Sequence, residues 1–181
     1  MRFKHSITLA SLAAIAFAGL AAAQTTVSTG TGQGGSPHEK TTWKVGAATI
    51  SVEYGRPYLK GRPEAQLMPL GSPWRTGADQ ATVITTDKPL TFDKVSLAPG
   101  SYTINTEPGA KEWHLILGKL GSAGQWGIPY LPNLEIGRAT MRVGHLAKPV
   151  EQVTVEIDKA APALRIEWGA TSATVPFKVG G

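Results

Sequence analysis

The stretch Thr49–Thr82 reads TISVEYGRPYLKGRPEAQLMPLGSPWRTGADQAT, and the rest of the chain is organised around it. Ile50, Val52 and Tyr54 alternate with Thr49, Ser51 and Glu53, which is a half-buried strand with one apolar face. The strand stops at Gly55-Arg56-Pro57, because Pro57 has no N–H to give to a ladder and pushes Arg56 to extended geometry. Gly61, Pro63, Pro69, Gly71 and Pro73 then punctuate a long connection that carries Arg56, Lys60 and Arg62 to Trp74-Arg75-Thr76-Gly77-Ala78-Asp79. A connection of that length is uncommon in a compact domain unless it has a function or is disordered. β character resumes at Ala81.

Working outward, the same period-two pattern recurs on both sides. Trp43 and Val45 precede the strand, across a hairpin turn at Gly46–Ala48. Downstream come Leu90/Phe92 and Val95/Leu97 around Asp93-Lys94, then Tyr102/Ile104/Thr106 between Pro99-Gly100 and Pro108-Gly109. Trp113, Leu115 and Leu117 form the next apolar face, with Glu112, His114 and Ile116 opposite. A second looping region runs from Gly118 to about Gly137 and holds Trp126 and Tyr130. Met141 and Val143 mark a strand, and three more follow: Val153–Ile157, Leu164–Trp168 and Ala173–Phe177. Pro176 makes the last an edge strand or leaves its N–H side unpaired. No helix of ordinary length is predicted after the N-terminal segment. About ten short strands at roughly 8–12-residue spacing define an all-β, single-domain β-sandwich or barrel-like sandwich with two long loops.

The N-terminus is a targeting segment. Arg2, Lys4 and His5 start it, Ile7–Ala23 is apolar and small, and Ala21-Ala22-Ala23 ahead of Gln24 is an A-x-A-type cleavage site. The organisation expected is a signal peptide at 1–23, a flexible Gly/Ser/Thr-rich lead at 24–37, and the all-β domain at 38–179. The expected location is periplasmic or secreted, with no membrane association once the signal is removed. There is no cysteine, so an exported domain of this kind holds itself by packing rather than by disulfides. The net charge is +5, and cleavage removes Arg2 and Lys4 from it. The remaining basic residues are scattered, not gathered into the stripe that a nucleic-acid partner needs, so none is expected. The 21 glycines and 13 prolines fall below the roughly 25–30% that marks disorder.

Ser36-Pro37-His38-Glu39, YGRPYLKGR at 54–62, WRTGADQAT at 74–82, PGSYTI at 99–104, EWHLIL at 112–117, QWGIPY at 125–130 and PVEQVTVEI at 149–157 together resemble the domain of unknown function 2911 family. That family consists of exported bacterial proteins. The resemblance covers nearly all of the chain after the signal. It implies a β-rich exported domain and no assigned activity. One stretch departs from the family pattern: where members carry a Gly-Gly-Leu-Val-Pro-Tyr-Gly-like run, this chain has Ala65-Gln66-Leu67-Met68-Pro69-Leu70-Gly71, with Leu70 in the tyrosine's place.

Candidate site residues lie in the first long loop. Arg56, Lys60, Arg62 and Arg75 could clamp a carboxylate, phosphate or sulfate, since a guanidinium offers a bidentate fork. The competing reading is structural: Arg75 pairs with Asp79 across the Gly77 turn, and Arg56 pairs with Glu53. Trp74, Trp126, Tyr58 and Tyr130 either wall a pocket mouth or plug the open ends of the sandwich. His38, His114 and His145 do not pair at metal-ligand spacing, and neither metal nor cofactor is expected. There is no Gly-x-Ser-x-Gly elbow and no thiol, so a covalent-nucleophile hydrolase is the least favoured class. The first expectation is a binder of a small anionic or carboxylate-bearing ligand through Arg56, Arg75 and Arg62, with Trp74 and Tyr58 as walls. The alternatives are a hydrolase of envelope or extracellular material with Glu53 or Asp79 as acid/base, and a module offering an edge strand to a protein partner.

Overall fold

The computed structural model describes residues 24–121 and 130–181. The expected signal peptide and Trp126 lie outside these residues. The fold is all-β, with ten strands in one antiparallel sheet. The strands are β1 (Gln24–Thr31), β2 (Pro37–Val45), β3 (Ala48–Gly55), β4 (Ala78–Thr86), β5 (Leu90–Phe92), β6 (Val95–Leu97), β7 (Gly100–Glu107), β8 (Glu112–Lys119), β9 (Glu135–Asp158) and β10 (Ala163–Val179). Their order across the sheet is β1-β2-β3-β4-β7-β8-β9-β10-β5-β6. A four-residue helix α1 (Glu64–Leu67) sits in the first long loop, and a 3-10 turn, Pro132–Leu134, precedes β9.

The alternation read from the sequence is what fills the core. Trp43, Val45, Ile50, Val52, Tyr54, Trp113, Leu115 and Leu117 are all buried in one cluster that also takes Val153, Val155, Leu164, Ile166, Val175 and Phe177. Each such side chain contributes about 1.5–3 kcal/mol of burial. The sheet curls on itself to enclose them. The chain leaving β3 lies along β9: Leu59 N–H donates to the Glu151 carbonyl at 2.8 Å, and Val153 N–H donates to the Pro57 carbonyl at 3.2 Å.

The lead expected to be flexible is instead strand β1, paired with β2 from Gln24↔Trp43 to Thr31↔Pro37. All eight of its residues are exposed, so it is held by backbone ladder bonds and a Thr26–Thr41 hydroxyl contact at 2.9 Å, with almost no burial. The separate strands expected at 141–143 and 153–157 are one strand, and so are those at 164–168 and 173–177. Gly169 is a bend inside β10 with φ +60, accompanied by register shifts. The last strand is not at an edge. Pro176 falls between the Thr174↔Arg142 pair with β9 and the Phe177↔Phe92 pair with β5, where its missing N–H breaks no rung of either ladder. Ile116, on the face opposite Leu115, is also buried but outside the main cluster.

The first long loop is pinned at several points. Trp74 exchanges both backbone bonds with Thr106 of β7, at 2.6 and 2.9 Å. Glu64 of α1 reaches β10, where its carboxylate accepts from Ala170 N–H at 2.7 Å and from the Thr171 hydroxyl at 2.6 Å. The loop is therefore an ordered wall over one end of the sheet.

Candidate functional site

That wall encloses a cleft of about 780 Å³. Lys60, Arg62, Arg75 and Asp79 line it, with Leu67, Trp74 and Trp168 below and Ser36 at one side. The volume lies within the roughly 300–1,000 Å³ typical of small-molecule sites.

The backbone around the cleft is strained. Lys60 (φ 51), Thr76 (φ 58) and Asp79 (φ 61) adopt left-handed geometry, which non-glycine residues avoid at a cost of about 1–2 kcal/mol each. Hydrogen bonds over-determine the shape. The fully buried Thr76 donates through Oγ1 to the Trp74 carbonyl at 3.2 Å and lies 3.0 Å from Thr106 Oγ1. Thr82 Oγ1 donates to the Thr76 carbonyl at 2.9 Å. The Trp74-to-Asp79 turn is thereby locked in one conformation.

Charge is distributed unevenly in the cleft. Arg75 Nη1 donates to the backbone carbonyl of Asp79 at 3.0 Å, so the bond across the Gly77 turn runs to the main chain and not to the carboxylate. The carboxylate belongs to His38: Asp79 Oδ2 lies 2.8 Å from His38 Nε2, and both side chains are largely buried. Arg62 uses Nε and Nη2 to hold the carbonyls of Leu59 and Tyr58. Lys60 Nζ stands 5.9 Å from the centroid of the Tyr58 ring. Among the described residues, none of Lys60, Arg62 and Arg75 forms an ion pair with an acid.

Trp74 is a floor, not an open platform. It stacks on Trp168 at 5.5 Å and 9°, and meets Trp113 at 89°. Trp168 is 3% exposed and donates its indole N–H to the Glu151 carbonyl.

The structure thus gathers Arg62, Arg75, Trp74 and Asp79 at the cleft with Lys60. Arg56 is differently placed. Its guanidinium donates to the Val153 carbonyl, to Thr154 Oγ1 and to Glu39, the last at 3.0 Å. Its ion-pair partner is Glu39 on β2, not Glu53. The neighbouring Tyr54 hydroxyl accepts from Val155 N–H and donates to Glu39. Burial is the main cause that pushes its pKa well above the ordinary tyrosine range. Arg56 and Tyr54 together fasten β3 to β9. Glu53 is exposed, in an outer groove beside Lys40 and His38. Tyr58 backs Lys60 and pairs with Gln152. Tyr130, in the second loop, donates to Glu135 beside Arg138.

Glu156 lies outside the cleft. It is partly buried on β9, and burial raises its carboxyl pKa, with Arg165 opposing and Glu167 adding to the effect. Sequence reasoning passed over Leu67 and Trp168 as cleft residues. It weighed His38 only as a metal ligand; the Ser-Pro-His motif was the signal that could have placed it here.

Fold and site together define an all-β domain whose longest loop builds a cationic cleft over one end of a curled sheet. The chain belongs to the family described as Protein of unknown function (DUF2911), whose model matches residues 36–177. No match was found among curated proteins or among solved structures.

Proposed function

We propose that the protein is an exported binder of a small anionic or carboxylate-bearing ligand, and that the cleft between the first long loop and β10 is where the ligand sits. One observation carries this reading. Lys60, Arg62 and Arg75 share a ligand-sized cleft without an acidic partner among the described residues. Cations gathered without neutralisation repel one another, and a bound anion removes that cost. The strained, over-determined turn that carries Arg75 supports the same reading, since such strain clusters at ligand clamps. Arg75 is the principal anion contact in this account, because only one of its five donors is used within the protein among the described residues. Arg56 drops out as a ligand contact and becomes a brace. Export to the periplasm or beyond rests on the basic, apolar and Ala-x-Ala pattern of residues 1–23.

Thermal unfolding in sulfate and in propionate tests the proposal. A ligand at about 100 times its dissociation constant adds about 2.7 kcal/mol. At roughly 2–4 °C per kcal/mol for a domain of this size, the midpoint rises by several degrees. Arg75→Ala should abolish the rise. Equal rises in the protein and in Arg75→Ala would refute the site.

A further inference from the structure

The cleft holds a feature that a bare anion site would not want. Asp79, an acid, lines the same cleft as Arg75, Arg62 and Lys60. It does not neutralise Arg75, which bonds only the Asp79 main-chain carbonyl. Instead His38 fixes Oδ2 from behind at 2.8 Å. The packing around Oδ2 and Nε2 is tight, although His38 also borders the outer groove that holds Glu53. A Cβ on Gly32 would lie 1.6 Å from Asp79 Oδ2, and a Cβ on Gly55 would lie 2.8 Å from His38 Nε2. The second oxygen, Oδ1, has no hydrogen-bond partner among the described residues. Asp79 also adopts a left-handed backbone, φ 61.

For a ligand that is only an anion, this carboxylate is a like charge and weakens binding. For a ligand that also carries a donor, it is a strong acceptor held in place. The Arg75 guanidinium and the Asp79 main chain are in direct contact at 3.0 Å. A ligand that meets both residues carries its anionic group and its donor close together. Resting on the anion-binding reading above, we propose that the cleft selects carboxylates with a hydroxyl or ammonium group on the neighbouring carbon, as in 2-hydroxy and 2-amino acids. Arg75 takes the carboxylate and Asp79 Oδ1 takes the donor. His38 is a positioning residue that holds the other oxygen.

The test titrates the full chain with propionate, L-lactate and L-alanine, which share a three-carbon skeleton and differ at the second carbon. Lactate or alanine should bind about tenfold or more tightly than propionate, the effect of one hydrogen bond to a charged group. Asp79→Gly should erase that preference by weakening lactate and alanine binding and, with the like charge gone, tightening Arg75-dependent propionate binding; glycine suits the left-handed backbone there. If Asp79→Gly does not fold, Asp79→Asn keeps the shape and should reduce the preference. Equal affinity for the three ligands overturns the inference and leaves the anion site standing, as does a preference that survives in the Asp79 variant. Failure of all three to bind in an Arg75-dependent way removes the anion site itself, and this inference with it.

Discussion

His38 on β2 and Asp79 at the start of β4 meet at 2.8 Å across the strand that lies between them, and Gly55 of β3 is what lets them meet. In the ladder His38 stands opposite Gly55, and Gly55 opposite Ala78. A Cβ at position 55 would be 2.5 Å from the Ala78 carbonyl and 2.8 Å from His38 Nε2. The absence of a side chain on one strand thus couples its two neighbours and fixes an acid on the cleft wall.

Gly55→Ala should therefore cost stability and loosen the site together. Overpacking of this kind costs about 1–3 kcal/mol. Denaturant unfolding measures the first effect and ligand titration the second. A variant of unchanged midpoint would show that the backbone yields at this point and that the contact is not a constraint.

Arg56 and Arg75 should separate cleanly. Arg56→Ala removes three bonds that join the end of β3 to β9 and to Glu39, and leaves the partly buried Glu39 without its ion-pair partner. A loss of about 2–3 kcal/mol is expected. Arg75→Ala should cost under about 1 kcal/mol, because one bond to a carbonyl is lost. Chemical denaturation of the two variants side by side decides this, and the reverse order would exchange their roles.

Glu64 holds the loop shut through β10. Its carboxylate bonds Ala170 N–H and Thr171 Oγ1, and Gly169 leaves it room: a Cβ there would be 2.1 Å from Glu64 Oε1. Glu64→Ala should raise amide exchange across residues 60–71 more than across β8 or β9. Uniform acceleration throughout would mean that the tie supports the whole fold, not the wall alone.

Stability should depend on pH through Glu156 and Glu135 with opposite signs. Burial raises the Glu156 carboxyl above its ordinary 4.5. Between the ordinary and the raised value the native state binds more protons than the unfolded chain, so this contribution is lost as pH rises through the folded value. Arg138, by hydrogen bonding, lowers the Glu135 carboxyl. Its contribution is present above the ordinary value and is lost as pH falls through the lowered one. Unfolding midpoints from about pH 3 to 7 should show Glu156→Gln relatively more stable at the upper end. A Glu156→Gln profile parallel to that of the parent protein would show that Glu156 is not desolvated in solution.

Much of the sheet was legible because its apolar residues alternate. Ile50/Val52/Tyr54 and Trp113/Leu115/Leu117 announce both strand and inward face. Strand β1 was not legible, since Thr, Ser and Gly with a lone Val27 carry no burial pattern, and its ladder to β2 depends on backbone groups common to all residues. Gly169 looks like a strand end in sequence and is a bend within one. At the site, residue type marked the loop cations and Trp74 but not their partners. Glu39 and Glu53 are equally plausible mates for Arg56 by composition. Only the register that sets Glu39 opposite Tyr54, one residue before Gly55, decides between them. His38 and Asp79 are separated by 41 positions, and nothing local to either predicts the other.

Trp74 and Trp168 line the cleft and report directly on anion binding there. The measurement is intrinsic tryptophan fluorescence of the full chain during titration with sulfate, in the parent protein, in Arg75→Ala and in Arg138→Ala, whose arginine is engaged elsewhere by Glu107 and Glu135. Anion binding in the cleft predicts a saturable change in the parent protein and in Arg138→Ala that is lost in Arg75→Ala. A saturable change retained in Arg75→Ala, or no saturable change in any of the three, would contradict it.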